Sequence, residues 1–191
     1  MLEKKETAIF EIVSGDFFSY KVDIMVNSVN TVGVMGKGIA KEFKNKFPKM
    51  FEDYKKACYK NDIHIKALIE SEFISYNKEL IFHKFQVKKI LSYSPHIYKE
   101  KDFLILNLPT KIDWRYPSDY EIIKTALNWI KNNLDYLSNV LNKPVKKIIL
   151  PLLGAGAGKL DPIKIEELIK EILKDTNLYV LIYKPKKIKQ N

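Results

Sequence analysis

The seven glycines of this 191-residue chain fall in only three places: Gly15, a group at Gly33, Gly36 and Gly38, and a group at Gly154, Gly156 and Gly158. Glycine weakens helices and strands, so it is kept where backbone must take positive φ or approach a ligand closely. Each group sits between a β-branched apolar run and a helical pattern: Val22 to Asn27 precedes the first group, and Lys147 to Pro151 the second. Two loops that leave a strand and enter a helix offer backbone amides and helix N-termini, the parts of an anion cradle. Neither loop ends in the G-K-[ST] of a P-loop, and neither has G-x-G-x-x-G spacing. Two readings stand at this point: ordinary tight turns, or a nucleotide diphosphate held in some other way.

The rest of the chain supplies strands and helices in alternation. Strand-like runs are expected at Ala8 to Val13, Val22 to Asn27, Leu68 to Tyr76, Leu80 to Phe85, Phe103 to Leu108, Lys147 to Pro151 and Leu178 to Tyr183. From Lys37 to Lys60 apolar residues recur at three- and four-residue steps, with Pro48 expected to break or kink the helix. A second helical pattern runs from Ser118 to Leu141, opened by a capping box of Ser118 and Glu121. A third starts at Asp161-Pro162. Gln86 to Lys101 has no clear period and reads as a surface insertion. This order implies a central sheet with helices on both faces and ligands beyond the strand ends.

Composition narrows the class further. Hydrophobic residues are 46% of the chain and charged residues 29%, a balance that excludes a disordered protein. The net charge of +10 is carried almost wholly by lysine, Arg115 being the sole arginine. It suits a polyanionic partner or a lysine-biased coding habit alike. The single cysteine, Cys58, rules out an internal disulfide and fits a reducing compartment. No apolar run approaches a membrane span, so the expected location is the cytoplasm. His64, His83 and His96 show no metal-ligand spacing, so no metal site is expected.

Longer strings of residues then resemble a known family. Gly15-Asp16, Val26-Asn27-Ser28-Val29-Asn30, the loop Gly33 to Ala40, and Pro151-Leu152-Leu153-Gly154-Ala155-Gly156 resemble the macro domain, over nearly the whole chain. The string Asn27 to Ala40, with Leu108-Pro109-Thr110-Lys111 and Trp114-Arg115, is most similar to the DNA ADP-ribosyl glycohydrolase antitoxins of the DarG type. The terminal ADP-ribose protein glutamate hydrolase is a more distant relative. The resemblance implies a three-layer sandwich, a central mixed sheet of about six strands between helices, over residues 1–184 with a basic tail at 185–191.

It also implies a site. Asp16 would accept from the adenine amino group and Phe17 would lend its backbone. Asn27 and Asn30 would lie near the distal ribose, although Asx turns at a strand end are an equal reading. Thr31, Val34, Met35, Gly36, Lys37, Gly38 and Ile39 would form one wall, and Leu153, Gly154, Ala155, Gly156, Ala157 and Gly158 the other. Two carboxylates used elsewhere in the superfamily are missing: Ala40 and Gly158 stand at the corresponding places. That leaves Lys111, directly after an apolar strand, as the catalytic group. A lysine is nucleophilic only when neutral, so its pKa must fall in the site; an alternative role leaves Lys111 charged, stabilising the leaving group or the phosphate. Trp114 and Arg115 are candidates for contact with an extruded nucleotide, with core packing an equal expectation for Trp114.

The activity implied is hydrolysis of an N-glycosidic bond, releasing ADP-ribose from single-stranded DNA, with thymidine the expected attachment point. No cofactor is expected, and ADP-ribose is the ligand and product. The implied partners are ADP-ribosylated single-stranded DNA and a cognate DNA ADP-ribosyltransferase toxin, with the chain a monomer. Two other classes stay open: a reader that binds ADP-ribose without cleaving it, and a hydrolase of ADP-ribosylated protein glutamate.

Overall fold

Strands whose successive side chains all enter a core require cover on both faces of the sheet. In β2 (Ile24–Val29) Ile24 and Val26 join one cluster, Met25 and Val29 the other. The same split divides Leu104, Leu106 and Leu108 from Ile105 in β6 (Leu104–Pro109) and Ile148 and Leu150 from Ile149 in β7 (Lys147–Pro151). It also divides Val180 and Ile182 from Leu181 in β8 (Tyr179–Tyr183). Helices α3 (Tyr120–Asn132), α4 (Leu134–Leu141) and α5 (Pro162–Leu173) cover the first face; α1 (Gly38–Lys46) and α2 (Pro48–Tyr59) cover the second. Each fully buried aliphatic side chain stabilises this sandwich by about 1.5–3 kcal/mol. The computed structural model that defines this architecture describes residues 7–76 and 79–185.

The six-stranded sheet has the order β1-β8-β7-β2-β6-β5, with β1 at Ile9–Val13 and β5 at His96–Lys99. Every neighbouring pair is parallel except β5 with β6, so the sheet is mixed as expected. Pro48 ends α1 and opens α2 as its first residue, which is the break its missing N–H demands.

Two expectations are corrected. Gln86 to Lys101 is regular: β3 (His64–Tyr76) and β4 (Glu79–Ser94) form a long antiparallel hairpin, and β5 follows as the sheet's edge. The hairpin seats Ile65 and Val87 on Ile122 of α3. The cap of α3 is Asp119, whose carboxylate accepts from the Glu121 amide, while Ser118 packs elsewhere. Asp161 caps α5 ahead of Pro162, as the sequence implies. Of the basic tail, residues 186–191 lie outside the described residues.

Candidate functional site

Sheet order alone brings the two glycine groups together. β7, β2 and β6 are adjacent and parallel, so the loops that follow them leave the same edge of the sheet. These are the second glycine loop after β7, the first glycine loop after β2, and Thr110-Lys111 after β6. β1 runs parallel to β8 and delivers Gly15 and Asp16 to that same edge. This is the edge at which open α/β sheets bind ligands.

The first loop is built around Asn30. Its Oδ1 accepts from the amides of Val32 (3.0 Å) and Val34 (3.3 Å), and its Nδ2 donates to the Val34 carbonyl (2.6 Å). The buried Tyr54 hydroxyl of α2 donates to the Asn30 carbonyl at 2.7 Å, pinning the loop to the helix layer. Asn30 is therefore engaged in shaping its own turn. Thr31 ties the loop to the segment after β6, its amide and hydroxyl both donating to the Ile112 carbonyl. Met35 is buried, whereas Val34, Gly36, Lys37 and Gly38 are exposed and Ile39 is half-buried. Lys37 is the N-cap of α1 and makes no side-chain cap, and no acidic residue stands in the first turn. No side chain of the N-cap satisfies the leading amides of that helix, and a helix N-terminus of this kind favours an anion.

The second loop turns at Gly154, where φ is +75°, and closes with the Leu160 amide on the Gly154 carbonyl. Gly154 and Gly158 are buried, Ala155 is half-buried, and Gly156 and Ala157 are exposed. The Gly158 carbonyl accepts from the Ser118 amide at 3.1 Å. Leu153 is a core residue, as are Phe17 and Met35, so these three can meet a ligand only through backbone.

Lys111, just after β6, reaches the second loop and is 7% exposed. Its Nζ donates to the Tyr116 carbonyl at 3.0 Å and to the Ala157 carbonyl at 2.8 Å. Burial lowers its pKa below the ordinary lysine value, the Lys159 charge adds to the fall, and Asp113 opposes it. A neutral amine has two N–H bonds and one lone pair. Two carbonyl partners use both donors and leave the lone pair as the one unassigned direction.

On the rim, Trp114 is 57% exposed and so is not a core residue. Arg115 forks onto Asp113, Nε to Oδ1 at 2.9 Å and Nη2 to Oδ2 at 2.7 Å. Asp16 is exposed and accepts from the Phe18 amide through Oδ1. Asn27 does not reach the open edge: it is fully buried, and its Nδ2 donates to Asn107 Oδ1 at 2.8 Å. Asn107 Nδ2 in turn meets His96 Nδ1 at 2.9 Å, and His96 Nε2 meets Asp53 at 3.0 Å. Because an amide nitrogen can only donate, His96 accepts at Nδ1 and carries its proton on Nε2.

Sequence reasoning missed Asp113, Ser118 and the Tyr116 carbonyl as parts of this edge. Nothing in the spacing marks a carbonyl, but the Asp113-x-Arg115 step is one over which a carboxylate can accept from the amide two residues on. Burial pushes the Cys58 thiol up to about 11, the mark of a packing cysteine. Among the described residues, no cluster of His, Cys, Asp and Glu is arranged to hold a metal ion. Among them too, no helix is long and apolar enough to cross a membrane.

A mixed sheet between two helical layers, with two glycine loops and a buried lysine at the C-terminal ends of its parallel strands, has the layout of an α/β domain that binds ligands beyond its strand ends. The Macro domain family profile matches residues 26–91. The macrodomain of Thermus aquaticus DarG superposes with a TM-score of 0.69 at 30% identity, over 93% of this chain and 99% of that one. The chain belongs to the macro-domain family. It is also 31% identical over 178 residues to the T. aquaticus DNA ADP-ribosyl glycohydrolase, covering 93% of this chain and 41% of that protein. A DNA ADP-ribosyl transferase–DNA ADP-ribosyl glycohydrolase fusion protein of Thermosipho africanus is 30% identical over 183 residues, 96% of this chain and 44% of the fusion. The structure of DarTG from that organism in complex with ADP-ribose matches with a TM-score of 0.70 at 26% identity, over 96% of this chain and 43% of that one. The chain thus spans 41% to 44% of the length of these curated relatives.

Proposed function

We propose that this chain is an ADP-ribosyl glycohydrolase that removes ADP-ribose from single-stranded DNA, with Lys111 as the nucleophile. The observation that carries this reading is the Lys111 amine, buried at the ligand edge and held by the Tyr116 carbonyl and the Ala157 carbonyl of the second loop. A domain that only binds ADP-ribose has use for the loops but none for a desolvated amine with its donors already assigned.

In this mechanism the diphosphate lies on the uncapped amides of α1 and the backbone of the second loop. Asp16 and the backbone at Phe17 take the adenine, and the turn that Asn30 shapes forms the wall nearest the distal ribose. The neutral Lys111 nitrogen attacks the anomeric carbon of that ribose as the glycosidic bond to the base breaks. The attacking nitrogen gives up a proton, and the departing base takes one. Water then displaces the lysine, so the balance is one water consumed, one ADP-ribose and one unmodified base released. No cofactor enters any step. Trp114 offers an exposed ring on which an extruded base can stack, and Arg115 a cation beside it.

The partners that fit are ADP-ribosylated single-stranded DNA and a cognate DNA ADP-ribosyltransferase, for which the fused relative is the support. A monomer in a reducing compartment such as the cytoplasm suits the lone packing cysteine. The test is release of free ADP-ribose from a modified oligonucleotide and from a glutamate-modified protein, side by side, with wild type and Lys111→Ala. Release from DNA that vanishes in the variant supports the assignment. Release from protein alone moves it to the glutamate-directed class, and binding without release makes the chain a reader.

A further inference from the structure

The turn that follows Lys111 folds back onto the lysine itself. The Asp113 carbonyl accepts from the Tyr116 amide at 3.2 Å, and Asp113 Oδ1 accepts from the Arg115 amide at 2.9 Å, so backbone and side chain of one residue close the same turn. The Tyr116 carbonyl that this turn presents is the one that receives the Lys111 amine. Asp113 is 8% exposed, and its carboxylate faces Arg115 through both oxygens, whereas the Lys111 amine donates to the Tyr116 and Ala157 carbonyls.

We propose that Asp113 is a positioning residue: it sets the Lys111 amine by closing the turn that aims the Tyr116 carbonyl, while Arg115 keeps the carboxylate from capturing that amine. The inference rests on Lys111 being the reacting group, and it adds to that reading the device that holds it. Two functions meet in one side chain, because an acid this close to a lysine would otherwise pair with it and keep it an ammonium. The Arg115 guanidinium, the largest influence on the Asp113 carboxyl, holds it below the usual carboxylate range. The acid therefore stays ionised and occupied across the neutral range.

The test compares wild type, Asp113→Asn and Asp113→Ala in the full chain. Asparagine keeps an oxygen for the Arg115 amide but loses the charge; alanine loses both. Labelling of lysines with acetic anhydride, read by mass spectrometry and normalised to the exposed Lys159, reports release of the Lys111 amine without needing turnover. Lys111 should label several-fold faster in Asp113→Ala and near the wild-type rate in Asp113→Asn. On a substrate that the wild type cleaves, Asp113→Ala should lower kcat about tenfold or more at an unchanged KM, the expected result of a misaimed group, and Asp113→Asn should recover most of it. Unaltered labelling in Asp113→Ala overturns the proposal, as does equal acceleration in both variants, which would make the charge and not the turn the restraint. A wild type that releases no ADP-ribose defeats the proposed function while leaving the labelling result to decide this one.

Discussion

Gly158 packs against Ser118 so closely that a Cβ on the glycine would collide with both the Ser118 hydroxyl and the Gly154 carbonyl. The consequence is chemical as well as steric. A hydrolase that carries an aspartate at this point of the second loop needs a different backbone path from the one this chain takes. In this chain packing leaves no room for a side chain at Gly158, and Ala40 is buried on α1.

Gly158→Ala should therefore displace the second loop. Overpacking of this kind costs about 1–3 kcal/mol, and the melting temperature should fall by about 2–4 °C for each kcal/mol in a chain of this size. Titration calorimetry should show weakened ADP-ribose binding in the same variant. Gly156→Ala is the control, since nothing lies within 4 Å of a Cβ there and its φ is not positive. Equal melting and binding for the two variants would refute the packing argument.

Lys111 should govern the pH dependence of release. Its pKa lies below the ordinary lysine value through burial first and Lys159 second. The neutral, nucleophilic fraction grows as pH rises through that lowered value, so kcat/KM should climb with pH along a limb centred below 10.5. Lys159→Gln removes a positive neighbour, makes protonation of Lys111 easier, and should move the limb to higher pH. A rate that instead falls with rising pH would assign Lys111 an ammonium role.

How far such features were legible in the sequence depends on whether one interaction or several decide them. β7 and β8 could be read directly, because every residue in an apolar run covered on both faces obeys the same rule. β4 could not. Register shifts at Lys66/Ala67 and Leu68/Ile69 break the period of two across the hairpin, so Lys88, Lys89 and Leu91 look aperiodic although they lie in a continuous strand. Ser118 and Asp119 are adjacent and both able to cap; Asp119 does so, while the Ser118 amide is bonded to the distant Gly158 carbonyl, a contact that no local pattern shows. The glycine loops and Lys111 were visible as residues, but their convergence follows from strand order, which no local pattern encodes. Asn30 carried two readings for the same reason: its hydrogen bonds depend on where Val34 and Tyr54 sit.

His96 should make the fold sensitive to mild acid. Burial lowers its pKa below 6.5, against the opposing pull of Asp53. Between that lowered value and 6.5 the unfolded chain binds more protons than the native one, so stability rises with pH across the window. The stability present above the unfolded value is lost as pH falls through 6.5 toward the folded value. Protonation also fills Nδ1, the atom that accepts from Asn107, and so disconnects Asn27 and Asn107 from Asp53. Denaturant melts from pH 7.5 to 5 should lose stability in wild type and lose less in His96→Gln; parallel curves would exclude the histidine as the cause.

Replacing Trp114 is the test that separates nucleic acid from protein as the carrier of the modification. At 57% exposure the ring contributes little to the core, so Trp114→Ala should melt close to wild type. Stacking of a base on an aromatic ring is worth about 1–3 kcal/mol. Loss of the ring should accordingly raise KM for an ADP-ribosylated oligonucleotide by at least about fivefold, with kcat less affected. Free ADP-ribose lacks the extruded base, so its affinity should stay within about twofold, and release from modified protein should not change. A uniform loss on all three ligands would place Trp114 in the wall of the ADP-ribose cleft. No loss on the oligonucleotide would remove base stacking from the mechanism, and with it the main structural reason for preferring DNA over protein.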